Sequence, residues 1–479
     1  MNKKINRWCT EPFRIFFPLG ILSSIIGVLL WPFAFAGWLD YYPLEAHSRW
    51  MIIGFGGCLI TGFIGTAGPR LIGASPWSYF ELFWHLALCA FVLFFLYSAQ
   101  ITAADTFAGF WLIGVLCSML WRLLFEKKDV PPPGIPMVFL GLLSGAVAAF
   151  ALALNSMIGF DFLWQKFWRL CYFQGFVWIP IVGVAPYILP RFFGLSSKHS
   201  FNAAPFLPPG WKSQFMLSLV TGGLLLVSFA VEVWHTAPLG LTMRAIIFAA
   251  YFPLAIPGLL SLSRVNALAL SLRWILPCAV TGWILAAFYP HMRIGISHLM
   301  LIGGPSLLML AVSTRVFLGH NDRHDRLGFP LKWYHAVWAL ALLTAATRLS
   351  ADFVPKVRTS HLIYAAVLWV IIVIFWGYKT IKESRIPRRD KGGLKSCPRR
   401  EKRRLAREPK LESSSVEATQ PELHHQVIRT KIPPQSSTDM PRRSRIHSDM
   451  SIVPPKRNLL VAKPNQTKPN HQSTENSAF

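Results

Sequence analysis

Histidine is the residue type whose placement in this sequence best suits chemistry. Neutral imidazole is a common ligand for both haem iron and copper. If the apolar segments cross a membrane, one set of histidines falls near the outer ends of the helices: His47, His235, His291, His298 and His361. A second set falls near the inner side: His85, His199, His320, His324 and His335. The outer set indicates a haem or copper site, and the alternative is that these are interface histidines without a common site.

Other kinds of chemistry have little support in the sequence. It contains no phosphate-binding glycine loop, no nucleophile elbow and no paired carboxylates inside an apolar stretch. Acidic residues are expected to be nearly absent from the helices, which argues against a proton pump or a cation-coupled carrier. The seven cysteines show no CxxC spacing and are expected to pack in the interior. No residue is assigned a catalytic role.

The elements that must position these histidines are membrane-spanning helices. Hydrophobic residues make up 53% of the 479 residues and charged residues only 15%, whereas a soluble domain needs more charge to cover its surface. Many stretches reach the roughly 20 apolar residues that cross a bilayer. We predict an all-α, polytopic membrane bundle of twelve helices: 15–37, 50–67, 80–98, 106–124, 136–158, 170–190, 214–233, 240–262, 271–289, 296–314, 333–350 and 360–379.

Composition divides the chain into two parts. Residues 1–381 are predicted to form the transmembrane domain, and residues 382–479 a basic, low-complexity, disordered tail. Much of the net charge of +26 lies after Lys379. The predicted partners are therefore the lipid bilayer and, through the tail, anionic lipid headgroups, and nucleic acid is not expected.

The distribution of Lys and Arg predicts the orientation. Loops on the side of the N-terminus carry more of these residues than loops on the other side, so both termini are expected to be cytoplasmic. The first apolar run, from Ile15 to about Gly37, is too long for the core of a signal peptide. It is interpreted as an uncleaved first helix.

Two further patterns concern the second and tenth predicted helices. Gly54, Cys58, Gly62 and Thr66 are four residues apart, so they form a stripe of small side chains that admits another helix or a flat cofactor. On the tenth helix, His298 and Arg315 are separated by roughly 25 Å at 1.5 Å per residue. One small site cannot use both, and snorkelling to the inner headgroups is the simplest role for Arg315.

Three stretches resemble the NnrS family. The first, SHLMLIGGPSLLMLAVSTRVFLGHNDR at 297–323, is similar to the family signature through His298, Gly303, Thr314, Arg315, Val316, Leu318, Gly319, His320 and Arg323. The second resembles the opening P-F-R-x-F-F through Pro12, Phe13, Arg14, Phe16 and Phe17. The third is the second predicted helix, with Met51, Gly54, Phe55, Gly62, Phe63 and Pro69. The resemblance covers residues 11–380.

The resemblance implies a bacterial inner-membrane protein that binds haem, copper or both and acts in the response to nitric oxide and nitrosative stress. It brings His47 and His298 to the outer side as the expected metal ligands. His291 is seven residues before His298, hence on the same helix face if the helix begins early enough, and is the reserve ligand. Where the family has H-x-H-E-M, this chain has His47, Ser48, Arg49, Trp50 and Met51. Arg49 cannot ligate a metal, but it could pair with a haem propionate. The competing interpretation is that these substitutions have abolished the site.

Two other functions are weighed against this interpretation. A multi-pass transporter without a cofactor is disfavoured by the expected lack of intramembrane carboxylates and broken helices. The catalytic subunit of a haem–copper oxidase or nitric oxide reductase also resembles a twelve-helix bundle, but needs an adjacent His–His pair. The sequence has such a pair only at His424 and His425, in the predicted tail.

Overall fold

The computed structural model describes residues 3–195, 207–256, 259, 266–323, 326 and 331–385, and over these ranges it is helical without strands. Within the described residues, twelve helices are long and apolar enough to cross a membrane, with mean hydropathy between 1.2 and 2.3. The predicted fold class and helix number are therefore confirmed. The helices are α1 Phe13–Phe35, α2 Leu44–Leu71, α3 Tyr79–Tyr97, α4 Ile101–Glu126, α5 Ile135–Ile158, α6 Phe162–Phe192, α7 Trp211–Trp234, α8 Ala237–Ala255, α9 Ala267–Phe288, α10 Pro290–His320, α11 Tyr334–Phe353 and α12 Pro355–Arg385.

The outer surface of the bundle is apolar. Large side chains such as Phe94, Phe110 and Ile374 are more than half exposed. In water, a surface of this kind would drive association. In contact with lipid an apolar surface is stable, and each helix satisfies its own backbone hydrogen bonds there.

Three helices, α2, α6 and α10, form the interior of the bundle. Consecutive helices pack against one another along the chain, and α12 packs against α1. In the most apolar 18-residue segments of α2, α6 and α10, respectively 83%, 72% and 67% of the residues are buried. In the other helices this share is 56% or less. These are the second, sixth and tenth helices, so the buried position recurs every four helices.

The same three helices each contain a π-helical stretch, and a fourth stretch, Arg122–Glu126, ends α4. The stretches of the three interior helices cover Trp50–Gly57 in α2, Cys171–Gly175 in α6 and Ile302–Ser306 in α10. A π-helical turn widens the helix by one residue and is often found at functional sites. In this bundle, residues of all three stretches line one cavity.

The stripe of small residues on α2 is explained by helix packing. A Cβ atom at Gly54 would lie 2.9 Å from Ser23 Cβ, and one at Gly62 would lie 3.1 Å from the backbone of Phe13, both on α1. The glycines leave room for α1, so of the two interpretations of this stripe the structure supports a neighbouring helix.

Several helices extend beyond their predicted ends. α2 begins six residues early at Leu44, α6 begins at Phe162, and α10 continues to His320. The predicted helices ended at charged residues, because these lower the hydropathy of a segment. In the structure these charged residues have partners within the protein. α12 ends at Arg385, and the rest of the predicted tail lies outside the described residues, as do His199, His324, Cys397, His424 and His425. Of the other cysteines, five are buried and Cys117 is exposed.

The prediction that acidic residues are nearly absent from the helices is wrong. Asp105 on α4 and Glu232 on α7 are both buried. Each forms an ion pair with an arginine from another helix: Asp105 with Arg49, and Glu232 with Arg244 and Arg293. A carboxylate and a guanidinium that share hydrogen bonds can remain charged in a low-dielectric interior, whereas either group alone is costly there.

Candidate functional site

The structure brings His47 of α2 and His298 of α10 together. The centres of their rings are 6.1 Å apart, and the ring planes are inclined by 16°. The two residues are 251 positions apart in the sequence, so this approach depends on the tertiary fold. Their position matches the pair that the sequence motifs implied.

A backbone carbonyl orients each imidazole. His47 Nδ1 lies 2.8 Å from the carbonyl oxygen of Gly27, and His298 Nδ1 lies 2.8 Å from that of Ile294. A carbonyl oxygen only accepts hydrogen bonds, so Nδ1 carries the hydrogen in both rings. In the neutral imidazole, Nε2 then keeps its lone pair. This is the arrangement found in metal-binding histidines, whose other ring nitrogen is held by a hydrogen bond.

Both histidines line a cavity of about 340 Å³. This volume lies within the range of about 300–1,000 Å³ typical of small-molecule sites. The walls are mainly apolar and aromatic, with Trp31, Phe55, Phe173 and Trp369 among them. The thioethers of Met51 on α2 and Met309 on α10 also line the cavity.

Two arginines supply positive charge to this cavity. Arg169 on α6 donates to the Glu45 carboxylate at 2.6 Å, and both residues are partly exposed. Arg348 on α11 is largely buried and donates to Asp352 at 2.9 Å. Each arginine retains donors beyond these contacts, because a guanidinium has five N–H groups. Glu45 also lines the cavity, so what the two arginines offer a ligand is unused N–H donors rather than uncompensated positive charge.

Arg49 does not line the cavity. Its Nε and Nη2 atoms donate to the two oxygens of Asp105 at 2.7 and 2.6 Å, and Nη1 donates to Glu45 at 2.6 Å. The guanidinium also lies 5.6 Å from the ring centre of Phe173. Arg49 thus joins α2 to α4 through a buried ion pair, and the positive charges that face the cavity come from Arg169 and Arg348 instead.

The remaining outer histidines lie away from the pair. His291 is exposed and belongs to the short 3₁₀ turn Pro290–Met292, before the α-helical part of α10 begins at Arg293. It therefore does not share a helix face with His298, and it does not line the cavity. His361 forms a hydrogen bond with Ser350 at 2.7 Å, and His235 is exposed at the end of α7.

The other motif residues meet at the opposite end of the bundle, where α1 begins and α10 ends. Arg14 donates to the backbone carbonyl of His320 at 3.2 Å and pairs with Glu11. His320 Nδ1 lies 3.0 Å from the Glu11 carboxylate. Burial alone raises the pKa of Glu11, but the hydrogen bonds from His320 and Arg14 outweigh it and hold this pKa below its usual range. Arg315 and Gly319 line a separate cavity nearby.

The donor set in the outer cavity sets what it can hold. Over the described residues, no group of three or more His, Cys, Asp or Glu side chains converges as a metal site. The pair His47 and His298 is close enough to share one ion, since metal–Nε2 bonds of about 2.0–2.1 Å put two ring centres roughly 5–6.5 Å apart. The distance between the two rings is therefore compatible with one metal ion held by two imidazole ligands.

Sequence reasoning did not identify Arg348, Met51 or Met309 as site residues, and the predicted sixth helix, 170–190, began one residue after Arg169. Arg348 could have been noticed as an arginine inside a predicted helix, where a charge usually has a function. Met309 carries no such signal, because a methionine in an apolar helix usually fills space in the core.

The fold and the site define a polytopic membrane protein with a histidine-lined cavity between its central helices. A family profile described as "NnrS protein" matches residues 7–383, nearly all of the described part of the chain. The chain therefore belongs to the NnrS family. No curated protein matches it.

Proposed function

We propose that this protein binds haem, copper or both at His47 and His298 and acts in the response to nitric oxide. The observation that supports the proposal is the pair itself: two imidazoles from different helices, 6.1 Å apart, each held through Nδ1 by a carbonyl. Histidines without a common role would not need this shared orientation.

Copper fits the donor set. Imidazole binds both oxidation states of copper, and thioether sulfur favours Cu(I). Met51 follows His47 by one helical turn, and Met309 faces the same cavity from α10. The chain thus offers two imidazoles and two thioethers around one space.

Haem also fits the lining of the cavity. His47 and His298 would ligate the iron, the aromatic walls would contact the macrocycle, and Arg169 and Arg348 would bind its carboxylates. Either group, when bound, would supply transfer of electrons, and it would bind a diatomic ligand only where one of the two histidines leaves a coordination position open. The residues of this chain orient the group and restrict the access of water.

The physiological part of the proposal comes from the family. The resemblance of this chain to the NnrS family implies a role in the response to nitric oxide at the bacterial inner membrane. Nitric oxide is a small uncharged molecule and dissolves in a bilayer. A buried metal site formed by imidazole and thioether groups therefore suits it. The bias of Lys and Arg supports an orientation with both termini in the cytoplasm.

The test is to purify the full chain in mild detergent after expression with haem precursor and copper. We expect a Soret band or about one copper per chain, and a spectral change when nitric oxide is added. His47→Ala and His298→Ala should each lower the bound haem or copper at least tenfold, whereas His361→Ala, a histidine near the same end but outside the cavity, should leave it unchanged. A parent protein without haem or copper would refute the proposal.

A transporter without a cofactor is the second candidate. The buried pairs of Asp105 with Arg49 and of Glu232 with Arg244 favour it, because charged residues inside a membrane domain often mark a transport path. The same purification separates the two functions. A protein that stays free of haem and copper but binds a solute in the cavity of His47 and His298 would support transport.

A further inference from the structure

A second polar cavity, of about 480 Å³, lies at the end of the bundle where α1 begins. It is lined by one arginine from each of the three central helices: Arg70 of α2, Arg191 of α6 and Arg315 of α10. His320, the last residue of α10, also lines it. The histidine cavity is near the other end of the same helices, so it does not share these side chains.

Several contacts of these arginines are with neutral groups. The Arg315 guanidinium lies 4.9 Å from the ring centre of Phe192, and its Nη1 lies 3.5 Å from the Arg191 carbonyl oxygen. Arg191 donates to the Tyr187 hydroxyl at 2.7 Å and lies over the Tyr187 ring. Arg70 Nη1 lies 3.0 Å from His320 Nε2.

Negative charge is scarce in this cavity. Its lining, as far as the structure describes it, contains no carboxylate. Glu11 lies 4.0 Å from Arg70, but Arg14 and His320 already use its oxygens. Arginine near a helix C-terminus does complement the helix dipole. That effect explains an arginine on each helix, but it does not explain why three of them face one space.

A guanidinium presents a planar set of donors that matches the oxygens of phosphate. Three guanidiniums around one space repel each other, and an anion between them would reverse that cost. The lining of the cavity also includes the apolar side chains of Phe63, Ile188 and Val312. These three residues also line a narrow apolar cleft of about 70 Å³ that continues between the helices.

We propose that Arg70, Arg191 and Arg315 form a binding site for a phosphate-bearing anion. Two sources share this chemistry: the headgroup of an anionic phospholipid, whose acyl chain would follow the apolar cleft, and a phosphorylated solute from the cytoplasm. The site is independent of haem and copper, so its test does not depend on the proposed function.

The experiment measures binding to the purified full chain in detergent, with inorganic phosphate and short-chain phosphatidylglycerol as separate probes. The parent is compared with Arg315→Gln, Arg191→Gln and Lys127→Gln. Lys127 is an exposed residue just after α4, at the same end of the bundle but outside the cavity. The Lys127→Gln variant removes one unit of positive charge, as the two arginine variants do, and so controls for general electrostatic attraction.

We expect each arginine variant to weaken binding at least tenfold, because each removes charge-assisted hydrogen bonds, while Lys127→Gln stays within twofold of the parent. Arg315→Lys should restore only part of the affinity, because lysine keeps the charge but loses the fork. Equal melting temperatures for the parent and Arg315→Lys would show that folding is not the cause.

Binding of both probes would identify the phosphate as sufficient, and binding of phosphatidylglycerol alone would identify the lipid as the source. Either result supports the site. The proposal is overturned if neither probe binds the parent, or if Lys127→Gln weakens binding as much as Arg315→Gln does.

Discussion

At the scale of single residues, hydrogen bonds decide which polar side chains can serve a ligand. His47 and His298 direct Nδ1 to carbonyls and keep Nε2 available. Arg49 directs its donors to Asp105 and Glu45, so its charge is used within the protein. Arg49, which stands where the family has a second histidine, therefore connects two helices, and the pair of His47 and His298 is still formed.

Glu11 gives a prediction about pH. Its pKa is lower in the folded protein than the roughly 4.3 of a free glutamate. A lowered pKa means that the ionised carboxylate stabilises the fold fully above the unfolded value, and that this contribution is lost as the pH falls through the folded value. Glu11→Gln should therefore cost about 1 kcal/mol at pH 7, and the difference from the parent should shrink as the pH falls below the unfolded value of about 4.3.

Melting temperatures of both proteins from pH 7 to pH 3 provide the measurement. Asp40→Asn, in the exposed segment between α1 and α2, is the control and should follow the parent at every pH. If the deficit of Glu11→Gln persisted unchanged at pH 3, the carboxylate would not be its source.

At the scale of helices, hydropathy predicts number and approximate position, and packing sets the rest. All twelve helices follow from apolar length alone. The π-helical stretches could not be predicted, because an extra residue in a turn is accommodated by neighbours distant in sequence. The early start of α2 was missed for a related reason, since Glu45 and Arg49 look like loop residues until their partners Arg169 and Asp105 are known.

The contact between α1 and α2 gives the second prediction. A Cβ atom at Gly62 would lie 3.1 Å from the Cα atom of Phe13, and backbone atoms cannot move aside as a side chain can. Gly62→Leu should therefore separate the two helices and cost at least about 1–3 kcal/mol. Gly223→Leu on α7 is the matched control, because no atom lies within 4 Å of its added Cβ.

Thermal unfolding of the two variants in the same detergent measures this difference. Gly223→Leu should melt within a degree or two of the parent, and Gly62→Leu clearly below it. Equal melting temperatures would show that α1 and α2 are not packed as closely as the structure has them.

The candidate site could be predicted from the sequence only in part. His47 and His298 were found because they stand in stretches that resemble the family. Their approach to 6.1 Å, the carbonyls of Gly27 and Ile294, and the facing Arg348 depend on contacts between segments far apart in the chain. Periodicity and spacing contain no information on such contacts.

At the scale of the whole molecule, every fourth helix has a special role. α2, α6 and α10 are buried, contain π-helical stretches, line the histidine cavity, and each contribute an arginine to the cavity at the other end. One set of helices thus carries a candidate metal site at one end and a candidate anion site at the other.

Topology gives the third prediction. Twelve spans return the chain to the side on which it began, and the bias of Lys and Arg predicts that this side is cytoplasmic. A green fluorescent protein fused after Arg385 should fluoresce, and alkaline phosphatase at the same position should be inactive. Fusions after Asp40, between α1 and α2, should show the reverse, and the same result at both positions would contradict the twelve-helix arrangement.

The measurement that tests the central claim most directly is electron paramagnetic resonance of the oxidised, purified protein labelled with ¹⁵N-histidine. If His47 and His298 both ligate the metal, the spectrum should contain couplings from two imidazole nitrogens. His47→Ala and His298→Ala should each lose one of these couplings or the metal itself, and His361→Ala should lose neither. Identical nitrogen couplings in the parent and in both alanine variants would contradict the account.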